Sequence, residues 1–142
     1  MTRDEAQSEC ESRNLTLAMP KTEQEFAALG TYLGSRTVTG SQPGGYMQVW
    51  VGLERQGDEW KWLDEICSVS HVEWSPREPS GDGVCATMRK DSGTLNDLNC
   101  NRWKMSSVCE PISKYPSSVI SHPGDINLSR VLMYSPLTKS LI

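Results

Sequence analysis

The chain has 142 residues, a formal net charge of −4 and no run of lysine or arginine. This length fits one domain with a tail, in which about two-thirds of the unfolded surface can be buried. Scattered charges of both signs argue against nucleic acid or an anionic membrane as the main partner. The apolar stretch at 131–134 is far shorter than the roughly 20 residues of a membrane span, so no membrane insertion is expected.

The chain contains five cysteines, and no two of them have the CxxC spacing of common structural zinc sites. Disulfides are therefore expected, and they indicate an oxidising compartment. Met1 is followed directly by polar and charged residues, without the apolar stretch of a secretory signal. We therefore expect a secreted or extracellular domain whose signal peptide is absent because the chain is incomplete.

Two helices are predicted near the start of the chain. Helix 2–13 opens with capping-box spacing between Thr2 and Glu5 and turns Cys10 inward. Helix 22–33 opens with the same spacing and carries one apolar stripe. Between them, Asn14 begins an N-glycosylation sequon that is predicted to lie in a turn.

The rest of the ordered region is predicted to form strands, because short apolar or alternating runs are separated by glycine and proline. The predicted strands are 49–53, 59–63, 84–88, 94–98 and 107–110. Residues 64–83 predict a long loop that Trp74 anchors to the body of the domain. Helices followed by strands are typical of the α+β class. The serine- and proline-rich residues 112–142 predict a disordered tail.

Acidic and amide side chains cluster around Cys85 and Cys100. Asn96 and Asp97 lie between these cysteines, and Glu78 lies just upstream of them. Calcium takes six to eight oxygen ligands and favours carboxylates, so a loop that gathers these groups would suit this ion. The ordinary alternative is a set of solvated loop acids together with a turn at the Asn-Asp pair.

The order of these landmarks resembles the C-type lectin-like domain over residues 1–111. Trp50–Leu53 has the sequence WVGL, which is similar to the WIGL core strand of that family. Glu78–Ser80 is similar to its EPN sugar-specificity tripeptide, and Leu95–Asp97 is similar to its WND motif. The resemblance implies an α+β fold with two helices, antiparallel strands and a long binding loop.

The resemblance also implies two disulfides, Cys10–Cys109 and Cys85–Cys100, and a cis peptide bond before Pro79. The sequence alone permits other cysteine pairings. Cys67 is left over, and it could be a buried free thiol, an intermolecular link or the mate of a cysteine upstream.

The family domain normally opens with a strand that pairs with the last one, and nothing before Thr2 could supply that strand. The resemblance therefore implies a C-type lectin-like domain that lacks its first strand. The predicted strand 107–110 would then present an unpaired edge.

The function implied by the resemblance is binding of glycans or glycoproteins, through calcium and with a mannose- or fucose-like sugar. Glu78, Ser80, Asn96 and Asp97 are the implied sugar contacts. The implied calcium ligands are Glu78, Ser80, Asp82, Asn96 and Asp97.

Three residues depart from the family pattern. Ser80 replaces an asparagine, and Gly83 stands where a coordinating glutamate is expected, with Asp82 one position away. Leu95 replaces the tryptophan of WND. The rival hypothesis is thus a calcium-independent protein-recognition module that uses the surface around Trp74.

An enzyme is not expected, and no catalytic residue is predicted. His71 and His122 lack a paired acid and nucleophile in a recognisable spacing.

Overall fold

The computed structural model describes residues 1–40, 45–64, 69–112 and 140–142. Within these ranges the chain forms two helices and seven strands, arranged in two antiparallel sheets. The elements are α1 (Arg3–Ser12), β1 (Leu15–Leu17), α2 (Glu23–Gly34), β2 (Gln48–Gln56), β3 (Glu59–Trp62), β4 (Cys85–Arg89), β5 (Leu95–Leu98), β6 (Val108–Pro111) and β7 (Ser140–Leu141). The predicted α+β class, both helices and all five predicted strands are confirmed.

Both helices begin at the capping residues that the sequence predicts. The Thr2 hydroxyl accepts from the Glu5 N–H at 3.4 Å, and Glu5 Oε1 accepts from the Thr2 N–H at 2.8 Å, so two free donors are satisfied. The Thr22 hydroxyl accepts from the Glu25 N–H at 3.1 Å. This cap fixes the start of α2, which buries one apolar face in the core.

The four-stranded sheet has the order β3-β2-β4-β5, and β2 lies in its interior. Successive side chains of β2 point to opposite faces. Val49 and Val51 therefore pack in the cluster that contains α2, whereas Trp50 packs in the cluster that contains α1. Burial on both faces explains the continuous apolar run in this strand.

The three-stranded sheet has the order β1-β6-β7, and it corrects the expectation of an unpaired edge. β6 pairs with β1 on one side and with β7 on the other. Ser107 and Ile142 exchange two backbone hydrogen bonds of 2.8 Å beside β7. The paired residues Ser140 and Leu141 differ from the predicted disorder of the tail, whereas residues 113–139 lie outside the described residues.

Both disulfides implied by the resemblance are present. Cys10–Cys109 joins α1 to β6, and Cys85–Cys100 joins the start of β4 to the turn that follows β5. The second bridge holds β4 and β5 together at one end of the sheet, next to the loop that precedes β4. Cys67 lies outside the described residues.

Candidate functional site

A single buried carboxylate organises the loop of residues 76–83, which we call the recognition loop. Asp97 on β5 is fully buried. Its Oδ1 accepts from the N–H and the hydroxyl of Ser80 at 2.8 and 3.1 Å. Its Oδ2 accepts from the N–H groups of Gly81 and Gly83 at 2.8 and 3.3 Å. Four donors of the recognition loop therefore converge on one side chain and hold the loop against β5.

Glu78 lies beside Asp97 in this arrangement. Its Oε2 accepts from the Ser80 N–H at 3.0 Å. Burial raises the pKa of Glu78, and its hydrogen bond with Asp97 raises it further. Burial alone would also raise the pKa of Asp97, but hydrogen bonds from Glu78, Ser80 and Gly83 outweigh that effect and lower it. Of the two carboxyl groups, Asp97 therefore ionises first as the pH rises, and Glu78 keeps its proton to higher pH than Asp97 does.

Asn96 points away from this pair, because neighbouring residues of a strand face opposite sides. Its Nδ2 donates to Gln48 Oε1 at 3.2 Å, and the Thr87 hydroxyl donates to the same oxygen at 2.6 Å. Asn96 Oδ1 is buried and has no hydrogen-bond partner among the described residues. The structure therefore places Asn96 on a buried face of the sheet, beside Gln48 and Thr87, rather than at the recognition loop.

Gly83, where the family pattern expects a coordinating glutamate, and its neighbour Asp82 both have clear positions. Asp82 is exposed, and its side chain makes no hydrogen bond within the described part of the chain. Gly83 lies so close to β5 that a Cβ atom there would overlap the backbone of Leu98 and Asn99. Position 83 therefore has no room for the glutamate that the family pattern expects.

These contacts test whether the predicted ligand set fits calcium. Glu78, Ser80 and Asp97 lie together, but Asn96 and Asp82 do not join them in the contacts described. The oxygens of Asp97 already face four N–H or O–H donors, and such donors favour an anion over a cation at that place. In residues 1–40, 45–64, 69–112 and 140–142, no cluster of three or more His, Cys, Asp or Glu side chains could hold a metal. As arranged, the residues do not fit a calcium site.

Two smaller predictions concern single positions. The Glu78–Pro79 peptide bond is cis. Asn14 is exposed at a φ of 61°, directly before β1. The sequon threonine, Thr16, is buried in β1, where Gln7 Nε2 lies 3.3 Å from its hydroxyl. Glycosylation of Asn14 stays a prediction.

A groove beside the recognition loop was not predicted as a unit. The rings of Trp60 and Trp74 meet edge to face, with centroids 4.9 Å apart. They line a cavity of about 330 Å³ together with Val69, Val72, His71 and Glu59. We call this cavity the tryptophan groove. The clustering of tryptophans in the sequence was a signal for it, but the pairing of these two rings depends on how the long loop folds back.

Trp74 does anchor the long loop, as the sequence predicted. Residues 73–75 run beside Leu95 at the start of β5, where the Leu95 N–H donates to the Glu73 carbonyl and the Ser75 N–H donates to the Leu95 carbonyl, both at 2.8 Å. The Ser75 and Thr94 hydroxyls lie 2.6 Å apart. The segment that carries Trp74 is thus fixed to β5 at Leu95, and the recognition loop is fixed to the same strand two residues later, at Asp97.

Two helices, two antiparallel sheets and a proline-containing loop packed on β5 define a recognition domain of the C-type lectin-like class. The chain belongs to the C-type lectin domain family, since the family model described as "Lectin C-type domain" matches residues 1–111.

Similar proteins include tetranectin from Bos taurus, which is 34% identical over 116 residues, and E-selectin from Equus caballus, which is 28% identical over 114 residues. Each alignment covers 75% of this chain, but it spans only 52% of the tetranectin and 17% of the E-selectin. Among solved structures, the Ca²⁺-independent C-type lectin SPL-2 from Saxidomus purpuratus has a TM-score of 0.61 at 17% identity. That match covers 76% of this chain and 77% of SPL-2, and it is a likeness of fold.

Among the described residues, none of the helices has the length and apolar character needed to cross a membrane.

Proposed function

We propose that this domain is an extracellular carbohydrate-recognition module whose recognition loop is held by Asp97 instead of by calcium. The single observation that carries the proposal is the convergence of four loop donors on the Asp97 carboxylate. A bound cation could order such a loop by collecting its oxygens, whereas here a buried anion orders it by collecting its N–H groups. The loop is then pre-organised, which lowers the entropic cost of binding.

The tryptophan groove supports a sugar as the ligand. Half-buried indole rings offer flat apolar area to the C–H face of a sugar ring, and the ring nitrogen can still donate a hydrogen bond. Glu59 and His71 line the same groove and can bond hydroxyl groups. A small groove of this kind makes few contacts, so each site should bind weakly, and useful avidity requires several copies.

The test is a glycan array of soluble protein, run in parallel with calcium and with EGTA. We expect the same glycans to be bound under both conditions. Thermal unfolding should also be unchanged by millimolar calcium, because a ligand that binds only the folded state would raise the midpoint by an amount set by RT ln(1 + [L]/Kd). Binding that EGTA abolishes, or a raised midpoint in calcium, would refute the calcium-independent mechanism.

Calcium-dependent binding of a mannose- or fucose-like sugar, which the family resemblance implies, is the alternative. One observation favours it, namely that the Glu78 and Asp97 carboxylates lie next to each other, although a cation between them would have to displace the Ser80 N–H that both now accept. Two neighbouring acids can share a divalent cation instead of a proton. The glycan array run with EGTA distinguishes the two mechanisms, because only calcium-dependent binding is lost when the ion is removed.

Recognition of a protein is the second candidate function. Val69 and Val72 give the tryptophan groove an apolar wall, and half-buried tryptophan beside apolar side chains is typical of the energetic centre of a protein interface. An array on which no glycan is bound, with or without calcium, would favour this candidate over a lectin.

A further inference from the structure

An exposed arginine occupies a strained position at the start of the recognition loop. The backbone of Arg77 has a φ of 69°, a left-handed conformation that residues with a Cβ rarely adopt. The Glu78 N–H donates to the Ser75 carbonyl at 3.0 Å and closes a four-residue turn. Arg77 is the third residue of this turn, after Pro76. In turns of this form glycine is preferred at the third position because the φ is positive.

Within the described residues, the Arg77 side chain has no partner that explains why an arginine occupies this position. Arg77 is exposed, and it makes no hydrogen bond or ion pair within the described residues. The nearest acid in sequence, Glu78, instead accepts from the Ser80 N–H at 3.0 Å. The domain therefore keeps a strained backbone at this position and makes no internal use of the guanidinium group. Strain of this kind is a reason to look for function.

A guanidinium group on a rigid turn suits one class of ligand group. Arginine presents paired N–H donors that match the two oxygens of a carboxylate or sulfate. Pro76 fixes one side of the turn, and Asp97 holds the loop that follows it, so little backbone freedom is lost when a ligand binds. The chain as a whole carries a net charge of −4, so its overall field does not attract an anion. The attraction must come from the positive charge of the Arg77 side chain itself.

We propose that Arg77 is a specificity-determining residue that binds an anionic group, a carboxylate or a sulfate, on the carbohydrate ligand. This inference rests on the proposed carbohydrate-binding function and adds the charge class of the ligand. Asp82 is exposed in the same loop and opposes an anion there. Removal of its charge should therefore strengthen the same binding.

The experiment uses an array in which each neutral glycan is matched by a sialylated form and a sulfated form. The proteins are wild type, Arg77→Gln, Arg77→Gly, Asp82→Asn and the control Arg13→Gln. Arg13 lies outside the recognition loop, directly after α1, where it pairs with Glu9 at 3.0 Å. Its substitution by glutamine removes one positive charge, as Arg77→Gln does. Binding is measured at low and at physiological ionic strength.

We expect wild type to bind at least one anionic form more tightly than its neutral parent. Arg77→Gln and Arg77→Gly should each lose that preference, with binding of the anionic form about tenfold weaker, as expected for loss of a charge-assisted contact. Arg13→Gln should stay within about twofold of wild type, and Asp82→Asn should bind the anionic form more tightly. The sialylated and sulfated arms identify which anion is bound.

Stability provides a second readout. Arg77→Gly should raise the midpoint of thermal unfolding by about 2–4 °C because it relieves the strained φ, whereas Arg77→Gln should leave it unchanged. A gain in stability together with a loss of anion preference would support a role in binding.

Three results would overturn the inference. Equal binding of neutral and anionic forms by wild type, or an unchanged preference in Arg77→Gln, removes Arg77 as an anion contact while the lectin proposal stands. If wild type binds no glycan, both the inference and the proposed function fail.

Discussion

Glu78 and Asp97 accept hydrogen bonds from the same backbone N–H, that of Ser80, which lies 3.0 Å from Glu78 Oε2 and 2.8 Å from Asp97 Oδ1. Two carboxylates that share a donor repel each other when both are ionised. Burial and the hydrogen bond to Asp97 accordingly raise the pKa of Glu78. Ionisation of Glu78 therefore lowers the stability of the folded domain, whereas ionisation of Asp97 raises it.

The first prediction concerns Glu78→Gln. Because the folded-state pKa of Glu78 lies above its unfolded value of about 4.3, ionisation of this residue lowers the free energy of unfolding as the pH rises through the interval between the two values. The glutamine variant carries no such charge, so it should be more stable than wild type at pH 7 and equally stable well below pH 4. Urea unfolding across this range measures the difference. Glu59→Gln, an exposed residue on β3, is the control, and the same pH profile in both variants would contradict the prediction.

The second prediction concerns Asp97→Asn. The pKa of Asp97 is lowered in the folded state, so its stabilisation is complete above the unfolded pKa of about 3.9 and is lost as the pH falls through the folded value. Asparagine keeps one acceptor and turns an NH₂ group toward loop N–H donors, which should cost about 2–3 kcal/mol at pH 7. Urea unfolding at pH 7 and at a series of lower pH values measures the loss and its decline as Asp97 becomes protonated in the folded state.

The control for that experiment is Asp82→Asn in the same loop. Asp82 is exposed, so its substitution should change stability by less than about 0.5 kcal/mol. If Asp97→Asn were as mild as this control, the carboxylate would not hold the recognition loop.

The third prediction concerns Gly83→Ala. A Cβ atom at this position overlaps the backbone of Leu98 and Asn99, so the loop must move away from β5 and lose the Gly83 bond to Asp97. We expect a cost of about 1–3 kcal/mol, as for other overpacked sites, together with faster hydrogen exchange of the Gly81 amide. The matched control is Gly34→Ala at the end of α2, where nothing lies within 4 Å of the added atom. Equal stability of the two variants would show that the loop does not depend on this close approach.

The fourth prediction compares the two disulfides. Cys10–Cys109 spans 99 residues and Cys85–Cys100 spans 15. In the chain-entropy model, alanine pairs should cost about 4.7 kcal/mol for the long bridge and about 3 kcal/mol for the short one. Denaturant unfolding gives the order of the two losses. A greater loss for the short bridge would mean that strain or contacts around the recognition loop outweigh chain entropy.

Local signals in the sequence predicted most of the fold. The caps at Thr2 and Thr22 and the apolar run around Trp50 depend on near neighbours, and each predicted element is present. β1 and β7 were missed because they contain three and two residues, and both are defined by pairing with a distant strand.

The recognition site was predicted less well, for a physical reason. The family resemblance implied that Asn96 and Asp97 act together as ligands, whereas adjacent residues of a strand face opposite sides of the sheet. Which side each one faces depends on the register of β5 against β4. The hydrogen bonds to Asp97 come mostly from backbone N–H groups, and the direction of a backbone N–H cannot be read from the residue type.

The long disulfide has a mechanical consequence for the segment that contains the recognition loop. Cys10 and Cys109 are joined directly, so tension applied to the chain outside these residues passes through the sulfur–sulfur bond and bypasses everything between them. The recognition loop and the tryptophan groove both lie within the bypassed segment. A tethered ligand that pulls against the chain ends would load the loop and its attachment to β5, while tension between the two ends could not draw out the backbone between Cys10 and Cys109.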